Sequence, residues 1–453
     1  MVATGAELEG ATVELLQQLI RNECVNDGRQ ESGQEVRSVD VLRTFLEGRG
    51  LDLATYEPTP GRGSLVARIE GTDPDAPTLC LCGHTDVVPV TPSHWSRDPF
   101  GGELVDGEVW GRGAIDMLNL TVTMAVAMRA LADGGVRPRG TIVYAAVADE
   151  EAGGIHGAKW LLDHEHDAVG VDYLITESGG LVRNGPRGQT VTVTVAEKGL
   201  AWHTLRITGS PGHGSMPFGV DNALVKTAEV VRRLAAYRPR PVLSDLWRAY
   251  VENEIWPSDD MVPALLDPER VDATVAELEP RKAKLAHACI HTTFSPNVVR
   301  GGVKTNVIPD AVELEVDIRT LPGEDEHAVR AHLDAALGDL ASEVEITSSP
   351  QGATRASSSP TNTPLFDALE RVTRRAYPDA TLLPRLTVGG TDARFWREAG
   401  ATAYGFGLFS PEVTFEDLST RFHGIDERID VASLVLTTQA WLDLVTELDS
   451  TAS

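Results

Sequence analysis

Apolar residues recur at helical spacing over residues 6–21, where Leu8, Val13, Leu15, Leu16, Leu19 and Ile20 share a side. A second such pattern covers 38–48, with Gly48 as its stop. Shorter apolar runs at 63–69, 79–82, 141–148 and 171–175 predict strands. Runs with no polar alternation read as strands buried on both faces, which is the habit of parallel sheets. A hairpin is expected over 103–110, turning at Asp106-Gly107. Residues 118–132 and 158–162 read as helices. Strands alternating with helices predict a doubly wound α/β domain with a mostly parallel sheet.

The pattern changes near Glu197-Lys-Gly199. Residues 202–208 alternate as a strand with one wet face. A Gly/Ser/Pro turn at 209–219 then leads to a helix over 222–236. Strands at 290–295 and 312–319, a helix over 325–337 and a strand at 344–347 complete the order βαββαβ, the ferredoxin-like arrangement. Residues 199–350 therefore read as a smaller α+β domain inserted into the first. Within it, 238–288 is an extra piece rich in charge, Pro and Trp that fits neither pattern. A Ser/Thr/Pro linker is expected at 351–364. The α/β pattern resumes with helices at 365–376, 392–399 and 431–448 and strands at 382–386 and 402–406. The first domain is thus discontinuous, 1–198 with 351–453.

At 453 residues, two domains are the expectation. Lys plus Arg number 40 against 67 Asp plus Glu, a net charge of -27. That balance disfavours nucleic acid and anionic membranes as partners. The four cysteines, Cys24, Cys80, Cys82 and Cys289, show no framework spacing and read as thiols in a reducing compartment. Residues 1–7 carry no basic or apolar targeting segment, and no apolar run reaches membrane-spanning length, so a cytoplasmic location is expected.

The candidate chemistry stands at the ends of the apolar runs. His84 and Asp86 follow the 79–82 run two residues apart, so on extended chain they point to the same side. Open α/β sheets place ligand groups at such strand ends. An imidazole held by a carboxylate is a common way to present a metal ligand. Asp116, Glu150-Glu151 and Glu177 also follow strands, and His423 lies near the C-terminus. Taken singly, each is as readily a helix cap or a solvated strand end. Together, two imidazoles and several carboxylates suit a pair of Zn²⁺, Co²⁺ or Mn²⁺ ions sharing one carboxylate. Of the adjacent Glu150 and Glu151, one can bind metal while the other is held off as a general base.

Seven segments then follow in order: Gly83-His-Thr-Asp-Val-Val-Pro89, Gly111-Arg-Gly-Ala-Ile-Asp-Met117, Ala148-Asp-Glu-Glu-Ala-Gly-Gly154, Glu197-Lys-Gly199, Gly212-His-Gly-Ser215, Gly389-Gly-Thr-Asp-Ala393 and His423-Gly-Ile-Asp-Glu427. In this set the chain resembles the di-zinc aminoacylase and carboxypeptidase family, which includes acetylornithine deacetylase, succinyl-diaminopimelate desuccinylase, glutamate carboxypeptidases and dipeptidases. The resemblance spans roughly residues 10–445. It implies His84 and Glu177 as terminal ligands of one metal, Glu151 and His423 as those of the other, and Asp116 as the bridge. It further implies that Asp86 orients His84 and that Glu150 is the general base. His213 matches a small-domain histidine that stabilises the oxyanion, usually in the neighbouring subunit's site. Asn306 and Arg319 match positions that bind the substrate's carboxylate, a task suited to the planar guanidinium fork. The inserted domain is accordingly expected to act as a lid and to form a homodimer.

The implied activity is metal-dependent hydrolysis of an amide or peptide bond in an N-acyl amino acid or short peptide with a free carboxylate, with zinc as the first expectation for the metal. Alternatives on the same site are non-peptide amide hydrolysis and N-acyl amino acid condensation. A non-catalytic binding homologue is opposed by the complete ligand set. One departure is visible: the family continues Asp-Met with Lys and a small residue, whereas Leu118-Asn119 stands here. No serine-nucleophile elbow or nucleotide-binding glycine signature is present.

Overall fold

The computed structural model describes residues 5–258 and 260–450, without the side chains of 350–352. The expectation for the N-terminal segment falls in part on residues 1–4, outside the described residues. The chain forms two compact units. One comprises Met1–Val195, Ser359–Arg385 and Thr391–Ser453; the other comprises Ala196–Ser358 and Leu386–Gly390.

In the first unit the strands Ile142–Val147, Leu79–His84, Tyr173–Thr176 and Thr402–Gly405 lie side by side and parallel. Leu79–His84 and Ile142–Val147 are buried at every residue, as their unbroken apolar sequence requires. Antiparallel strands close the sheet: Arg62–Ile69 beyond Ile142–Val147, then Asp52–Thr59 beyond that. Asp52–Thr59 has no fully buried residue, so it left no apolar run to read. Gly188–Glu197 buries Thr190, Thr192 and Thr194 among its valines and so likewise lacks an apolar run.

One face of the sheet, with Cys80, Cys82, Val143, Ala145 and Val147, packs on Ala158, Leu161, Phe395 and Trp396. The thiols of Cys80 and Cys82 lie in this apolar core, where burial disfavours the thiolate. On the other face lies the helix Leu118–Asp133, which is buried nearly all round. It packs close because residue 83 is glycine: a Cβ there would collide with Thr121. Thr121 Oγ1 donates to the carbonyl of His84 at 2.7 Å. That close approach brings Asp116, just before the helix, beside His84. Gly5–Arg21 and Val431–Ser450 complete this layer, with Trp441 Nε1 donating to Thr123 Oγ1 at 3.1 Å.

The second unit holds a four-stranded antiparallel sheet in the order Thr293–Gly301, Ala311–Thr320, Gly199–Thr208, Val344–Thr354. With the helices Ala223–Ala236 and Glu326–Leu337 this is the ferredoxin-like arrangement. Asn222 and Asp325 cap those helices through their side chains. The core sits between the helices and one sheet face, where Leu205, Ile207, Leu314 and Val316 meet Val230, Leu234, Val329 and Leu333.

Three expectations change. The predicted strand at 290–295 starts late, because Ile290 ends the helix Pro280–Ile290. Part of the expected linker is strand, since Val344–Thr354 runs on and Ser357–Ser358 pairs with Glu197 and Ala196. The unplaced 238–288 piece folds into the helices Asp245–Asn253, Met261–Leu265, Val271–Ala276 and Pro280–Ile290. They enclose their own core of Trp247, Val251, Leu265, Val271 and Ile290.

Candidate metal centre

Four segments of the first unit converge at the C-terminal ends of the parallel strands. His84 ends one strand, Glu177 follows Tyr173–Thr176, Asp116 precedes the helix Leu118–Asp133, and Glu150–Ala152 form a single 3-10 turn after Ile142–Val147. His423 arrives from a loop whose residues 423 and 426 both have positive φ.

Asp116 is the shared member. Its Oδ1 is 3.3 Å from Nε2 of His84, and its Oδ2 is 2.7 Å from Nε2 of His423. Ligand atoms of His84, Asp116 and Glu177 all lie within 4.8 Å of one another, as do those of Asp116, Glu151 and His423. Glu150 Oε2 is 4.0 Å from His84 Nε2, whereas Glu151 Oε2 is 3.3 Å from His423 Nε2. The two glutamates therefore reach different sides of the cluster. The backbone achieves this by turning at Asp149, with φ +72°, rather than by continuing extended.

Asp86 does more than face His84. Nδ1 of His84 is 2.9 Å from the Asp86 backbone carbonyl and 3.5 Å from its carboxylate. The carboxylate accepts the backbone N–H groups of Glu150 and Glu151 at 3.2 and 3.1 Å, and the amide of Asn26 at 2.8 Å. Asp86 thus fixes both the imidazole and the turn that carries the glutamates.

Electrostatically the cluster is short of positive charge. Burial pushes Glu150 and Glu177 well above the usual carboxylate range, and burial plus the Asp116 charge lifts Glu151 to about 7. Burial would raise Asp116 too, but the neighbouring imidazoles of His423 and His84 outweigh it and hold that carboxylate low. Against their own burial, the carboxylate neighbours push His84 well up and His423 to about 10. His84 Nε2 and Glu151 Oε1 are buried without a hydrogen-bond partner. Imidazole and carboxylate donors, a carboxylate shared by two triads and orphaned ligand atoms together fit a pair of divalent ions.

Residues that sequence reasoning left without a role complete the surroundings. Arg394 donates to the carbonyl of Gly153 at 2.8 Å, holding the far end of the glutamate turn. Asp392 is buried against Gly154 with no hydrogen bond to its carboxylate, and burial lifts it to about 7. Arg62 pairs with the buried Glu35 at 2.7 Å and reaches Asn26 at 3.1 Å. Asp392 and Glu427 lie inside the sequence motifs; Asn26, Glu35 and Arg62 carry no spacing signal.

The other three candidates lie in the second unit. His213 is exposed, and its short strand Gly212–His213 pairs with Val307–Ile308. Gly214 N donates to the carbonyl of Asn306 at 2.9 Å, so His213 and Asn306 are neighbours in space. Arg319 is partly exposed, and its fork is engaged by Asp317 at 2.8 and 3.2 Å. No helix among the described residues is long and apolar enough to cross a membrane.

The model of peptidase family M20/M25/M40 matches residues 80–447, and the chain belongs to that family. It is 28% identical to aminoacylase-1 of Sus scrofa over 99% of this chain and 98% of that protein. It is 25% identical to the N-fatty-acyl-amino acid synthase/hydrolase PM20D1 of Xenopus tropicalis, over 90% of this chain and 80% of that protein. In fold it is similar to an M20 family metallo-carboxypeptidase from Sulfolobus solfataricus, with TM-score 0.71, 18% identity, and 98% and 99% of the two chains covered. Human carnosine dipeptidase 1 has the same fold, with TM-score 0.68, 18% identity, and 97% and 96% covered.

Proposed function

We propose that this chain is a metal-dependent hydrolase that cleaves the amide bond of an N-acyl amino acid or short peptide bearing a free carboxylate. The observation that carries the reading is the single Asp116 carboxylate presented to two triads. His84, Asp116 and Glu177 would hold one divalent ion, and Asp116, Glu151 and His423 the other. Zinc is the metal we favour, with cobalt or manganese able to use the same donors. Ions so held would polarise a carbonyl and acidify water.

Glu150 supplies the proton transfer. It stands beside the ligands without belonging to either triad, and desolvation raises its proton affinity well above that of an ordinary carboxylate, which favours proton acceptance. It takes a proton from the attacking water and returns one to the departing amine. Asp86 keeps Glu150 in place through its backbone N–H. His213 is assigned to the oxyanion, and Asn306 and Arg319 to the substrate carboxylate. The carboxylate on Arg319 would have to share or displace Asp317.

We assign the second unit to a lid and a homodimer contact. Met216, Phe218, Val225 and Val303 are exposed there, 68% or more each, which suits a covered surface. A monomer by light scattering that retained full turnover would contradict this assignment. The name of the Xenopus relative favours a second reading, condensation of an acyl group with an amino acid at the same site, which is the reverse of hydrolysis.

The test of function is release of free amine from dipeptides, N-acetyl, N-succinyl and long-chain N-acyl amino acids, and C-terminal glutamate amides. Cleavage confined to compounds with a free carboxylate supports the proposal. Equal cleavage of their carboxamide analogues would contradict it.

A further inference from the structure

Asp116 can serve two triads only if its carboxylate is held at a fixed distance from both imidazoles. Its own segment and the His423 loop are far apart in sequence, and each is irregular. His423 and Asp426 have φ +54°, and Gly111 and Gly113 have φ +152° and +89°. What joins them is Glu427, whose side chain is fully buried. Its Oε1 accepts the backbone N–H of Ile115 at 2.7 Å and that of Asp116 at 3.0 Å. Its Oε2 pairs with Arg112 Nη1 at 2.5 Å. Arg112 in turn donates through Nη2 to the carbonyl of Gly424 at 2.9 Å. The Glu427 carbonyl accepts Gly111 N at 2.9 Å, and the strand Arg428–Asp430 continues the pairing with Glu108–Trp110.

We infer that Glu427 and Arg112 form a clamp that positions the shared Asp116 against His423, and so sets the ion site built from Asp116, Glu151 and His423. The inference rests on the metal-site reading above. A buried glutamate beside a cluster of carboxylates is costly unless it is neutralised. Arg112 neutralises Glu427 locally, leaving the charge of Asp116 for the cations. Glu427 touches neither triad's ligand atoms, so it is a positioning residue. Groups that orient ligands in this way commonly govern metal affinity about 10–100-fold. The clamp holds the Gly424 carbonyl, next to His423, and makes no contact with Glu177. Its loss should therefore fall on one ion site more than the other.

The experiment is a cobalt(II) titration of the metal-depleted full chain, followed by visible absorption and calorimetry. His423→Ala identifies the binding step that belongs to the His423 site. Glu427→Gln, which keeps the shape and an acceptor oxygen but loses the negative charge that pairs with Arg112, should weaken that step by about 10-fold or more. The other step should shift by clearly less. Thermal melting of the cobalt-free protein accompanies each titration. If Glu427→Gln does not fold, Arg112→Lys is used, which keeps the charge but loses the fork that spans Glu427 and Gly424. Equal weakening of both steps, or of neither, overturns the clamp. A wild-type chain that binds no cobalt overturns the metal-site reading instead, so the two failures are distinguishable.

Discussion

Oδ2 of Asp116 lies 2.7 Å from Nε2 of His423, while its other oxygen faces His84 at 3.3 Å. One carboxylate therefore serves two histidines that reach it from opposite ends of the chain. Asp116→Asn keeps the side-chain shape but replaces one oxygen ligand by an amide and removes the charge. It should reduce bound metal from two ions per chain to one or none, measured by elemental analysis after gel filtration. Two retained ions would contradict the shared role.

Glu150 belongs to neither triad, yet its Oε2 lies 4.0 Å from Nε2 of His84, with its side chain largely shielded from solvent. Glu150→Gln should leave the metal content unchanged and lower kcat by ~10²–10⁴-fold, the usual contribution of a positioned general base. Near-normal turnover, or loss of metal, would reassign the residue.

Lys198 is the buried amine of the second unit, donating to the carbonyls of Ala288 and His291 at 2.9 and 2.6 Å. Burial lowers it to about 8. The folded value thus lies below the unfolded value of about 10.4. Below pH 8 both states are protonated, and the cost of burying the charge is carried in full. From there up to pH ~10.4 the folded chain sheds its proton first, so stability rises with pH, by at most about 3 kcal/mol. Denaturant unfolding of wild type and Lys198→Met from neutral to alkaline pH should give a difference that changes through this window in favour of wild type. Parallel curves would contradict the assignment.

The core of the α/β sheet and the acidic strand ends are legible in sequence for one reason. Buried parallel strands carry unbroken apolar runs, and His84, Glu150, Glu151 and Glu177 stand at or just beyond the ends of such runs, whereas Asp116 follows the short hairpin of Glu103–Val105 and Glu108–Trp110. Asp52–Thr59 is not legible because its side chains stay partly wet, and Gly188–Glu197 because its buried positions include threonines. The supporting network is hidden more deeply. Arg62, Glu35 and Asn26 are ordinary polar residues until folding buries them together. The sequence presents Asp86 as a partner of His84, but its bonds to the amides of Glu150 and Glu151 depend on the 3-10 turn, which no local pattern announces. The helical piece at 238–288 escaped because its helices are short and its core closes on itself.

Dependence on the paired ions is measured by turnover of exhaustively metal-depleted protein before and after adding Zn²⁺, Co²⁺ or Mn²⁺, on whichever compound the intact protein cleaves. Activity should be lost on depletion and restored by at least one of these ions, with two equivalents bound at full recovery. Full turnover in the depleted protein would contradict it, as would binding that leaves His84, Asp116, Glu151, Glu177 and His423 dispensable.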